Sequence, residues 1–273
     1  MNPRSFYPLL LAVGLPLLFS SCQKDIANKQ SSVEEFAGKA KQEEKTNTFK
    51  GPEVQVANGK VRSFVTMTNT GVPKEIGFEI TASMLEGLPS GEGENSYIIP
   101  LHKKATEVTP FDHLELDWNP AGHPPPGIYT LPHFDFHFYK ITEEEQMAIP
   151  PYTATTASMF DNFPLPGYIP EGYIPGPEGV PQMGKHWLDV TSPEFHNVMF
   201  TKTFIYGSYD GEVTFYEPMV TKAYIETTAS STTPIRQPQY FSPTNTYYPT
   251  MYNVYTDAAT GKHYVSLSGF VWK

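Results

Sequence analysis

Residues 132–139 read Pro-His-Phe-Asp-Phe-His-Phe-Tyr, with aromatic and polar side chains alternating at a period of two. An extended strand sorts such a run into faces: His133, Asp135 and His137 on one side, Phe134, Phe136 and Phe138 on the other. The aromatic side is core material, so this strand must belong to a sheet packed against an apolar layer. The opposite side collects three groups that bind metals or move protons, where an ordinary solvent-facing strand shows Thr, Lys or Ser. The question for the rest of the chain is whether other residues complete a site on that side.

The strand period recurs along the chain. Val54-Gln55-Val56 and residues 61–67 flank Asn58-Gly59, a two-residue hairpin signal. Residues 76–80 and 96–101 read as strands, and 113–118 alternate again with His113, Glu115 and Asp117 on one face. Residues 201–217 form a hairpin about Asp210-Gly211, 220–228 a further strand, and 251–255 with 263–271 a last hairpin about Thr260-Gly261. Helical signal is confined to 81–88 and to the capped turn opening at Thr142. With 27 Pro, 20 Gly and 14% aromatics, the expected class is all-β, an antiparallel sandwich or barrel.

Three stretches break the pattern. Residues 119–127 hold four prolines around His123, so their backbone angles are largely set in advance. Residues 150–187 are aperiodic and hold eight prolines; such a segment is an ordered binding loop or lid, or else a disordered linker, and its aromatics favour order. Residues 230–248, rich in Ser, Thr, Pro and Gln, read as loop.

The N-terminus is read apart from the fold. Arg4 and the apolar run 6–19 make a secretory signal over 1–21, since the run is shorter than the ~20 residues of a spanning helix. Cys22 is the only cysteine. A lone cysteine just after small residues is the bacterial lipoprotein arrangement, although Phe19 replaces the usual Leu; the alternative is a soluble secreted protein cleaved nearby. Gln23 in place of Asp points to the outer membrane, so the expected localisation is the bacterial cell envelope. Residues 22–50, polar and charged in both signs, form a lipid-anchored flexible tether, and 51–273 a single all-β domain. With Cys22 acylated, neither disulfides nor thiolate metal ligands are available. Removing Arg4 with the leader leaves 18 basic against 29 acidic residues, net −11. That argues against nucleic acid and against contact with anionic lipid beyond the anchor, while suiting divalent cations.

The chemistry available is that of His, Asp and Glu. Imidazoles with a carboxylate suit Zn, Mn, Fe, Ni or Cu. Residues two apart on a strand stand ~6.5 Å apart and can chelate together, whereas residues four apart stand ~13 Å apart. His133 and His137 therefore need a bulge or strong twist to share one ion. Asp135, between them, is a ligand or the group that orients an imidazole. Further ligands come from His186 at the end of the proline-rich segment, Glu217 just before Pro218, and His123. The expected metal set is His133, His137, His186, Glu217 and His123, with Asp135 in support. The alternative is a non-catalytic ligand- or partner-binding module whose His/Asp face is only a hydrogen-bond network. No G-x-S-x-G, P-loop, dinucleotide fingerprint or H-E-x-x-H occurs.

Asp117-Trp118-Asn119-Pro120, Gly122-His123-Pro124-Pro125, the 132–139 run, Met183-Gly184-Lys185-His186-Trp187 and Phe215-Tyr216-Glu217-Pro218-Met219 resemble one family. It is a domain-of-unknown-function family of bacterial secreted and lipid-anchored proteins carrying a WNP-x-GH-x-P…PHFDFHFY signature. The resemblance covers roughly residues 52–228 and groups these motifs without implying a reaction. Two His, a later His and a Glu also resemble the metal set of cupins, which implies a cupin-like β fold. Cupins use H-x-H, however, where this chain has H-x-D-x-H.

Overall fold

Alternating patterns become strands wherever turn residues let the chain double back. In the computed structural model the described residues are 45–273; the expected signal segment, Cys22 and the tether up to residue 44 lie outside them. The first sheet begins with β1 (Thr46–Lys50), β2 (Val54–Val56), β3 (Gly59–Thr68) and β4 (Pro73–Ile80). The second holds β5 (Asn95–Ile99), β6 (His113–Asn119), β7 (His133–Tyr139), β8 (Tyr173–Val180), β9 (Gly184–Asp189), β10 (Lys202–Tyr209) and β11 (Glu212–Thr221). The chain then returns to the first sheet through β12 (Ser230–Pro234), β14 (Met251–Asp257) and β15 (Lys262–Ser268), while β13 (Tyr247–Tyr248) pairs with β16 (Val271–Trp272).

The strand orders are β1-β3-β4-β15-β14-β12, with β2 on β3, and β5-β6-β7-β11-β10-β9-β8. Every pairing is antiparallel, and neither sheet closes on itself. The architecture is a sandwich and not a barrel. Its core forms where the two sheets face each other: Phe134, Phe136 and Phe138 of β7 are fully buried, and Phe78 of β4 meets the rings of Phe136 and Phe138 at 5.0 and 5.4 Å. The aromatic half of the 132–139 run is thus the inner face, and β7 lies third in its sheet, paired on both sides.

The structure departs from the sequence reading in four places. The first hairpin turns at Ala57-Asn58, one residue early, because Gly59 pairs with Val56; a Cβ at Gly59 would stand 2.2 Å from the Met84 nitrogen. The aperiodic segment contains two strands, β8 and β9. β8 escapes a period-two search because Pro175 and Pro177 interrupt it, and its pairing shifts between Pro175 and Gly179; prolines are tolerated since it is an edge strand. The strand expected over 220–228 stops at Thr221, whose hydroxyl accepts from the Tyr224 amide and caps a short helix, Lys222–Thr227. β1 lies in the stretch read as tether, and β12 and β13 in the stretch read as loop. The capping box at Thr142 is present, Glu145 accepting from the Thr142 amide at 2.8 Å.

Candidate metal centre

Sheet register determines which polar groups meet on the outer face of the second sheet. β6 and β7 pair Glu115 with His137, Asp117 with Asp135 and Asn119 with His133. On the other side, β11 pairs Met219 with Asp135 and Tyr216 with Phe138, which puts Glu217 level with His137. His186 reaches the same region from β9, where it pairs with Gly207 of β10, and Gly207 in turn pairs with Phe215. Gly207 has no side chain in the way: a Cβ there would lie 2.0 Å from the Phe215 ring, which covers it and packs against His186 at 5.2 Å. The loop after β6 folds back over the face and delivers His123, with Tyr129 wedged against Phe200 at 5.0 Å.

The five expected ligands do not gather at one point. Groups whose ligand atoms all lie within 4.8 Å of one another divide them into His123, His133 and Asp135, and separately His137, His186 and Glu217. His133 and His137 fall on opposite sides of that division. Asp135, expected in a supporting role, falls within the first of these groups. A third group, Glu115, Asp117 and His137, shares the His137 ring.

In the second trio, Glu217 Oε2 is 3.3 Å from His137 Nε2 and 3.7 Å from His186 Nε2. In the first, Asp135 lies 3.3 Å from His133 Nε2 through Oδ1 and 3.3 Å from His123 Nε2 through Oδ2. Ligands bound ~2.1 Å from one tetrahedral ion stand about 3.4 Å apart, so both trios have the spacing of a shared ion. They are held from behind. Asp117 Oδ2 lies 2.8 Å from His137 Nδ1, which leaves Nε2 to face Glu217 and His186. Asn119 Nδ2 donates to Asp135 Oδ2 at 2.8 Å. Gln146, from the capped helical turn, donates to Glu115 at 2.6 Å and lies 2.7 Å from His113 Nε2 through its oxygen.

Burial makes this arrangement costly as it stands. Asp117, Asp135, His133, His137 and Glu217 are all at most 2% exposed. Yet Asp117 Oδ1 and Oδ2, His133 Nε2, Asp135 Oδ1, His137 Nδ1 and Nε2 and Glu217 Oε2 have no hydrogen-bond partner among the described residues: they are close to one another but out of line. Buried polar atoms are nearly always bonded, and an unpaired one costs ~1–3 kcal/mol, more when charged. The charged groups paired with Asp117, Asp135 and Glu217 are all histidines. A cation within reach of these atoms would satisfy them together.

The proton affinities reflect the same crowding. Burial, with the charges of His137 and His123, pushes His186 down to about 3, so it is a neutral imidazole with a lone pair to donate. Burial works against the charged form of His123, but Asp135 outweighs it and raises that ring to about 9. Burial likewise opposes protonation of His137, and Glu217 and Asp117 overcome it to hold the ring well above its ordinary value. Burial drives Glu217 up, His137 offsetting part of the effect. Protons thus accumulate where an ion would otherwise sit. Glu94, in the segment before β5, is pushed up to about 8 by desolvation and by the charges of Asp117 and Asp135.

Asp117, Asn119, Glu94 and Gln146 were not among the expected site residues. Asp117 and Asn119 had a signal: His113-Leu114-Glu115-Leu116-Asp117-Trp118-Asn119 alternates just as 132–139 does, and two successive alternating strands present their polar sides together when they pair. Glu94 comes from an irregular segment and Gln146 from the capped helical turn, and where either one packs is encoded by no local pattern. Compared with protein-family models, with curated proteins and with solved structures, the chain matches none.

Proposed function

We propose that this chain is a metal-binding β-sandwich protein of the bacterial cell envelope, holding a divalent transition metal at His137, His186 and Glu217, with Asp117 orienting His137. The observation that carries the reading is the set of seven buried polar atoms on this face with no hydrogen-bond partner among the described residues. A purely structural hydrogen-bond network, the competing account of the His/Asp face, requires those bonds to be made. Two imidazoles and a carboxylate, without sulfur, suit Zn, Mn, Fe, Ni or Cu. Three protein ligands leave a position for water, the condition under which such an ion acts as a Lewis acid. His186, part-exposed at 19% of its side chain, marks the side from which water arrives. The envelope address rests on the signal-like residues 1–21 and on Cys22 at their end. The grouping of the motifs rests in part on the resemblance to the secreted and lipid-anchored family.

Elemental analysis of the purified mature chain after reconstitution with zinc tests the reading. At least one equivalent is expected, together with its loss in His186→Ala; less than ~0.1 equivalent of any transition metal would end the proposal.

A further inference from the structure

We infer that the face holds a second, separate ion, bound by His123, His133 and Asp135. This rests on the metal reading above but uses none of the same ligands. Two observations carry it. The first is the wiring of the imidazoles. His133 Nδ1 lies 2.6 Å from the Leu131 carbonyl and His123 Nδ1 lies 2.7 Å from the Pro124 carbonyl. A carbonyl oxygen only accepts, so both Nδ1 atoms carry the proton and both Nε2 atoms turn toward the Asp135 carboxylate. Lone pairs facing an anion repel unless each ring takes a second proton or a cation lies between them. His133 Nε2 and Asp135 Oδ1, both buried, are out of line for a hydrogen bond, so a proton on that nitrogen would find no acceptor there. A cation bound to both atoms needs no such alignment.

The second observation is spacing. His133 and His137 are four residues apart on a regular strand, ~13 Å between their Cα atoms, and their ligand atoms belong to different trios. One ion cannot serve both. The trio of His123, His133 and Asp135 is also the more open of the two at its loop side, His123 being 30% exposed. Its ion is therefore the one expected to exchange first.

Zinc titration of the metal-free mature chain, read by equilibrium dialysis with elemental analysis, separates the possibilities. Two equivalents are expected in the parent, one in His123→Ala, one in His186→Ala, and none in the double variant. His123 lies on a loop and is not part of the core, so its replacement leaves the sandwich packed; Asp135→Asn, which preserves size, provides the second variant for the same site. One equivalent in the parent, lost in His186→Ala and retained in His123→Ala and Asp135→Asn, overturns the second ion and leaves the first standing. Two equivalents that persist in both His123→Ala and Asp135→Asn also overturn it. No zinc in the parent overturns both ions together.

Discussion

His137 has both ring nitrogens buried against carboxylates, Asp117 at 2.8 Å on Nδ1 and Glu217 at 3.3 Å on Nε2. A ring held in this way can present only one nitrogen to an ion, and the carboxylate behind it settles which one. Asp117→Asn keeps the volume of the side chain while removing the charge that holds the ring in its ligating form. We expect it to lower zinc affinity by about 10–100-fold with little change in the folded structure, measured by competition against a chelating dye. Unchanged affinity would mean that Asp117 plays no part in orienting the ring. At this scale much was legible: His133, His137, His186, Glu217, His123 and Asp135 all stand on one face. Their division into two trios was only half visible. Strand rise separates His133 from His137, but which loop histidine joins which strand histidine depends on how the loops fold back.

Among the elements, β10 matters through what it lacks. Gly207 stands between His186 on β9 and Phe215 on β11, and the absence of a Cβ lets the Phe215 ring lie across the strand and support the His186 imidazole. Its backbone angles do not call for glycine; the space does. Gly207→Ala places a methyl 2.0 Å from that ring, an overpacking that costs about 1–3 kcal/mol. Urea denaturation should show this loss together with weaker zinc binding, because the displaced ring carries His186 with it. A loss of stability without a change in affinity would detach His186 from the ion. β8 and β9 teach a further point about elements: an edge strand can carry Pro175 and Pro177 because its outer N–H groups need no partner, which erases the very pattern by which strands are recognised.

For the whole molecule, the outer face of the second sheet couples stability to pH and to metal. In metal-free protein, His123 keeps a proton up to about 9, whereas an unfolded histidine loses it near 6.5. Glu94 keeps one up to about 8, far above an unfolded glutamate. Between pH 6.5 and 8 these groups give the native state more protons than the unfolded chain, so stability falls as pH rises; above about 8 Lys140, pushed down to about 8 by burial, works the other way. Calorimetry of chelator-treated protein should show a lower Tm at pH 8 than at 6.5. Zinc at a thousandfold excess over Kd adds ~4.1 kcal/mol, roughly 10 °C in a domain of this size, and should reverse the trend because its ligands must shed those protons. A metal-free Tm that rises over that range would contradict the proton-loaded face.

Local pattern was enough for the class and the inner face: strict alternation leaves Phe134, Phe136 and Phe138 no place but a core, and Asp210-Gly211 and Thr260-Gly261 mark their hairpins through local backbone preference alone. The sequence also limited the donor types, since the described residues hold no cysteine. Tertiary packing settled that the sheets stay open as a sandwich and that β6 lies beside β7 and adds Asp117 and Asn119 to the site. It alone sorted the histidines into two trios. Local preference acts over a few neighbouring residues, whereas these choices come from register between strands and from loops returning over a sheet, where the partners lie tens of residues apart and burial selects among them.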